Sequence, residues 1–206
     1  MKIKTAQKQL FAGFLFLTLY TNQMMAQDKP TTSGNYSVEA PATWTVEHFT
    51  LPPEFAPKLV LQGEEEIRLH PEWMDTKVPG NWSYVFLWFL DGKPEINAAW
   101  LKGKLEIYYD GLLNHFVEPN KIPASKIFPT AAMVSEAKTG KDDERTFTAD
   151  IRMLSLQSQE PIRLHARIHV KKTSVANKTA LWFQLSPQPQ THPVWKELES
   201  IKLALK

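Results

Sequence analysis

Residues 81–90 (NWSYVFLWFL) carry apolar side chains at both parities. In an extended chain, Trp82, Tyr84, Phe86, Trp88 and Leu90 share one face, and Val85, Leu87 and Phe89 share the other. A strand apolar on both faces is covered on both, which predicts a central position in a sheet. Three later segments, 145–156, 162–172 and 179–186, alternate with period two and read as further strands. Shorter strands are expected at 43–50 and 131–138, with a small hairpin of 58–62 and 65–70 around Gly63. Residues 95–117 change to helical spacing, with Ile96, Trp100, Ile107, Tyr108, Leu112 and Phe116 three, four or seven apart. Pro94 suits the first turn of such a helix. Gly103 and Gly111 each weaken it by about 1 kcal/mol relative to Ala, and Asp110-Gly111 is the natural place for a break. A second helix is expected over 193–205, with Trp195, Leu198, Ile201, Leu203 and Leu205 on its apolar side. The fold class is therefore α+β. A mostly antiparallel sheet of about six to seven strands packs against two helices, about 95–117 and 193–205.

The three late strands define their own faces. Ile151, Met153, Leu164, Ala166, Ile168, Val170, Leu181, Phe183 and Leu185 point one way, toward the expected helices. Thr148, Asp150, Arg152, Arg163, His165, Arg167, His169, Trp182 and Gln184 point the other way. A hairpin folding near position 159 sets Asp150 against Arg167 and Arg152 against His165, and the parity needs no bulge.

The amino terminus has a different pattern. Lys2, Lys4 and Lys8 precede an uncharged apolar run, 10–20, and a short polar stretch ends at Met24-Met25-Ala26. That is the three-part secretory signal, with cleavage expected after Ala26. The apolar run spans 11 residues, short of the ~20 that a bilayer-crossing helix requires, so no stable membrane insertion is expected after cleavage. Residues 27–42 are polar and rich in Pro, Ser and Thr, and read as a disordered leader. Residues 43–206 are expected to form a single α+β domain.

Removing residues 1–26 takes away three Lys and no acid, lowering the formal charge from +2 to −1. The mature chain thus lacks the global positive charge of a nucleic-acid binder. There is no cysteine, which excludes disulfides, thiol nucleophiles, thiolate metal sites and a lipoprotein-type anchor. These features together point to an exported bacterial protein, periplasmic or secreted.

The most prominent polar constellation is the ladder Arg163, His165, Arg167, His169, with Trp182 beside it. One reading is an anion-binding wall, with Arg forks for a carboxylate or phosphate and Trp182 as a stacking surface. The simpler reading is the solvated face of a sheet, with Asp150 pairing across strands. A metal shared by His165 and His169 is excluded by reach. Four residues of strand span about 13 Å, and zinc holds each imidazole nitrogen at about 2 Å. Glu64, Glu65 and Glu66 with His70 form a second cluster. On a strand only Glu64 and Glu66 share a face, and three acids after Gly63 fit a solvated turn. Tyr108 reads as core, and Asp110 and His115 as the helix's solvent side. The chain contains no HExxH, GxSxG, GxGxxG or Walker pattern, so no cofactor is implied.

The run Trp44-Thr-Val-Glu47-His-Phe49-Thr-Leu-Pro52-Pro53-Glu-Phe55-Ala-Pro57, followed by Gly63-Glu-Glu65-Glu-Ile-Arg68, resembles a recurring pattern in exported bacterial proteins of unknown function. It covers about the first third of the mature chain and implies no activity. The order of strands and helices is also similar to that of exported α+β sandwich domains, an analogy at fold level alone. Three functions remain open. The first is a non-enzymatic binding or accessory domain of the bacterial envelope, holding an anionic or aromatic ligand or a partner protein. The second is a hydrolase or isomerase with a His-containing pocket. The third is a structural module whose Trp-rich surface docks onto an envelope protein. An open polar sheet face favours the first, a closed pocket of His with acids the second, and a large exposed apolar patch the third.

Overall fold

The computed structural model describes residues 31–206. The expected signal, 1–26, lies outside the described residues. The strands are β1 (Thr31–Ser33), β2 (Tyr36–Glu39), β3 (Thr45–Leu51), β4 (Gly63–Leu69) and β5 (Tyr84–Asp91), then β6 (Ala131–Ala137), β7 (Asp143–Leu154), β8 (Pro161–Lys171), β9 (Lys178–Ser186) and β10 (Lys202–Leu205). Helix α1 spans Ala98–Phe116 and α2 spans Val194–Ser200. Seven strands form one antiparallel sheet in the order β3-β4-β5-β9-β8-β7-β6, and β1-β2-β10 form a small second sheet. The fold is α+β with a mostly antiparallel sheet, as expected.

The large sheet separates two cores. On one face, α1 lays Leu101, Leu105, Tyr108 and Tyr109 against Phe86, Trp88, Ile151, Leu164, Ile168 and Phe183. On the other, α2 and the small sheet bring Tyr36, Val38, Trp195 and Leu198 onto Val85, Leu87, Phe89 and Trp182. β5 lies between β4 and β9, with every residue from Tyr84 to Leu90 at most 4% exposed. Its apolar parities thus supply one core each.

Five expectations need correction. Residues 31–39 are not a leader, because Tyr36 and Val38, two apart, point inward while β2 pairs with β10. The second helix ends at Ser200, Ile201 caps it in an extended conformation, and Lys202–Leu205 continue as an alternating strand. The helices do not share a face, since α2 packs with Trp182 opposite α1. Residues 58–62 form no strand, and β4 pairs with β3 instead. Gly63 enters β4 at φ +132, where a Cβ would sit 2.2 Å from the Phe89 carbonyl oxygen. Finally, the β7–β8 register sets Asp150 against His165, Thr148 against Arg167 and Arg152 against Arg163. The shift is by two, so the faces are unchanged.

Helix α1 starts three residues late because Asn97 caps it, its side chain accepting from Trp100 N at 2.9 Å. It continues through Gly111 without a break, since the Phe55 carbonyl and Ala56 fill the space a side chain would take.

Candidate functional site

The face of β8 opposite α1 carries Arg167, His169 and Lys171 at alternate positions. Trp182 and Gln184 follow on β9, and the α2–β10 segment crosses above them with Glu199, Ile201 and Leu203. Between these elements lies an open cleft of about 290 Å³. Trp182 and Gln184 are buried at its base, the Gln184 Nε2 donating to the Leu198 carbonyl at 3.2 Å.

Its polar wall is organised by Asp143, only 4% exposed. One carboxylate oxygen accepts from Lys171 Nζ at 2.6 Å. The other bonds His169 Nδ1 at 2.7 Å and the Thr146 hydroxyl at 2.7 Å. Burial opposes ionisation here, but the hydrogen bonds from Lys171, His169 and Thr146 outweigh it and hold the Asp143 carboxyl down at about 2. A β-bulge places this residue. The β7–β8 register shifts between Asp143 and Arg145, which turns Asp143 onto the face of Thr146, His169 and Lys171. His169 has its Nδ1 fixed by a buried carboxylate, which sets the ring and leaves Nε2 as the other edge.

Arg167 is held differently. Its guanidinium pairs with Glu199, donates from Nε to Gln190 Oε1 at 3.2 Å and lies 4.7 Å from the Trp195 ring centre. It fastens the α2 segment over the sheet as well as lining the cleft.

Of the five residues singled out from the ladder, the cleft gathers Arg167, His169 and Trp182. His165 lies outside it, paired with Asp150 at 2.5 Å. Arg163 is also outside, facing Arg152. Lys171 and Asp143 are not among the residues that the sequence pattern singles out. Lys171 continued the ladder's parity, but Asp143 gave no usable signal because its facing depends on the bulge.

Glu65 and Glu66 are buried and Glu64 is half-buried on a strand, so the glutamate cluster is not a solvated turn. Glu66 (1% exposed) pairs with Arg68 (2%) and with His48, while Arg68 Nη2 donates to the Val38 carbonyl at 3.0 Å. Glu64, on the same face, accepts from the Tyr36 hydroxyl at 2.9 Å. These contacts tie the small sheet to β4. Glu65 faces α1 and is fully buried, accepting from the Trp88 indole at 2.9 Å. Its Oε2 has no partner of hydrogen-bonding geometry, although the Tyr108 hydroxyl is near enough to influence its charge. His70 is used structurally, between Glu197 at 3.1 Å and the Glu72 N–H. Tyr108 is core, Asp110 accepts from Thr130 N at 2.7 Å, and His115 is exposed.

A second groove, about 450 Å³, lies beside Val60, Leu61 and Trp100. Its charged groups already have partners, Lys93 donating to the Lys178 carbonyl and Asp91 pairing with the Lys178 ammonium. Among the described residues, no group of three or more His, Asp or Glu is placed to hold a metal ion, and no helix is long and apolar enough to cross a membrane. None of the seven Trp is exposed. The chain matches no family model, no curated protein and no solved structure.

Proposed function

We propose that this protein is an exported, non-enzymatic binding domain of the bacterial envelope. It holds a small ligand in the cleft between β8, β9 and the α2–β10 segment, and the ligand carries a carboxylate beside an aromatic or apolar group. One observation carries the reading. A single buried carboxylate, Asp143, orients both His169 and Lys171 along the cleft wall next to Trp182. Lys171 keeps two ammonium hydrogens beyond the one given to Asp143, and a ligand carboxylate accepts charge-assisted hydrogen bonds from it. Trp182 at the base and the side chains of Ile201 and Leu203 supply the apolar side.

The openness of the cleft favours binding over catalysis. His169 with Asp143 has the arrangement of an oriented general base, but among the described residues no hydroxyl bonds to either ring nitrogen. The buried Trp residues weigh against a Trp-rich docking surface. Export rests on residues 1–26, and the intact mass of the protein from its own host checks it, with a chain beginning at Gln27 expected. Ligand binding is tested by calorimetry with benzoate and phenylacetate. Saturable heat that Lys171→Met weakens about tenfold is expected. Equal heat in both proteins would reject the cleft as the site.

A further inference from the structure

The outward face of β8 is charge-compensated rung by rung, with one exception. Lys171 and His169 share Asp143, Arg167 takes Glu199, and His165 takes Asp150. Arg163, next along the same face, is exposed and directly opposite Arg152. Among the described residues, neither guanidinium makes an ion pair or a hydrogen bond with a carboxylate. Like charges directly opposite on antiparallel strands destabilise the pair. The nearest acid on this face, Asp150, already pairs with His165, and Glu160 pairs with Lys126.

Two further features make this rung a site and not only a repulsive contact. The Arg152 guanidinium lies 4.3 Å from the Phe128 ring centre, so one of its faces is covered and its orientation restricted. β9 ends at Ser186, paired with His165, so Arg163 lies beyond that strand and its outer side is open. Directly opposed residues have Cα atoms about 4.5–5.5 Å apart, which lets two planar forks converge on a single tetrahedral anion.

We propose that Arg152 and Arg163 form a second recognition site, for a phosphate group, whose charge completes the one uncompensated rung. Bidentate contacts from both forks suit phosphate oxygens. The site is separate from the cleft. Arg163 and His169 are six residues apart on β8, about 20 Å at 3.3 Å per residue, so one small anion cannot occupy both.

The test titrates inorganic phosphate, glycerol 3-phosphate and vesicles containing phosphatidic acid into the 15N-labelled protein at 0.15 M salt. Arg152 and Arg163 side-chain Nε–H signals should shift saturably. Arg152→Gln or Arg163→Gln should weaken binding about tenfold or more, the loss of a charge-assisted contact. Lys141→Gln, an equal charge change at an exposed turn, should leave it unchanged. Both arginines are exposed, so the variants fold, and without phosphate Arg163→Gln should melt at the same temperature or slightly higher as repulsion is relieved. The ester or the vesicle binding more tightly than the free ion assigns an esterified or lipid phosphate, and equal binding assigns the free ion. No saturable shift with any of the three, or an equal loss in Lys141→Gln, overturns the proposal. The cleft residues are not read by this experiment, so its failure is independent of theirs.

Discussion

The indole of Trp88 donates to the carboxyl of Glu65 across the β4–β5 rung that pairs the two residues, at 2.9 Å. This acid is fully buried beneath α1. Burial pushes it up to about 8, against the lowering effect of the Trp88 hydrogen bond and of the nearby Tyr108 hydroxyl, and the Glu47 carboxyl adds to the rise. An unfolded Glu releases its proton near pH 4.3. Between about pH 4.5 and 8 the unfolded chain is therefore ionised while the folded one stays protonated, and stability falls as pH rises through that window. The total is on the order of 5 kcal/mol. Glu65→Gln should flatten this slope, with a clear gain at pH 8 and little change at pH 4.5. Urea denaturation across the range measures it, and an unchanged slope would show that Glu65 is already ionised in the fold.

Asp143 acts at the other end of the pH scale. Its folded value, about 2, lies below that of an unfolded Asp. Its contribution is thus present above about pH 4 and lost as pH falls toward 2. Asp143→Asn should remove that acid limb and release His169 and Lys171 from the cleft wall. Denaturation between pH 2 and 5, together with the His169 ring signals, reports both effects. The two acids thus act in opposite senses: Asp143 favours the fold as pH rises from about 2 to 4, and Glu65 disfavours it as pH rises from about 4.5 to 8.

Arg68→Ala should cost about 3–5 kcal/mol, because it leaves the buried Glu66 carboxylate with His48 alone and removes the donor to the Val38 carbonyl. The double change Glu66→Leu with Arg68→Met should recover most of that loss, since an apolar pair of similar volume avoids the stranded charge. Guanidinium denaturation of the three proteins decides it.

Two helix glycines should respond in opposite directions. A Cβ at Gly103 meets nothing within 4 Å, so Gly103→Ala should stabilise by up to about 1 kcal/mol. A Cβ at Gly111 would lie 2.6 Å from the Phe55 carbonyl oxygen and 2.8 Å from Ala56. Gly111→Ala should destabilise despite its better helix propensity. Thermal melts of the two variants compare them directly.

The strong period-two alternation of 145–156, 162–172 and 179–186 made β7, β8 and β9 and their buried faces legible from residue types alone. Their register was not. The β7–β8 turn closes with Ser155 N donating to the Glu160 carbonyl at 2.9 Å and has Gln159 at φ 54, a left-handed position with no glycine to mark it. That moves the fold-back by one residue from position 159 and the pairing by two. Leu203 and Leu205 fit both a helix stripe and a strand alternation, and pairing with β2 decides for the strand. Glu65 was illegible for a different reason. Three consecutive acids look solvated until the tertiary cover by Tyr108 and Trp88 is known. Within the site, the ladder was readable from parity, whereas its organising acid, Asp143, depends on a bulge that no residue type announces.

The most direct measurement is an NMR titration of benzoate into the 15N-labelled protein, following the Trp182 and Trp195 indole signals and the backbone of β8, β9 and β10. A cleft ligand held by Lys171 and His169 should shift these saturably, with Lys171→Met weakening the effect and the Trp88 indole unmoved. Saturable shifts confined to other elements, or none at all with either benzoate or phenylacetate, would contradict the cleft as a binding site.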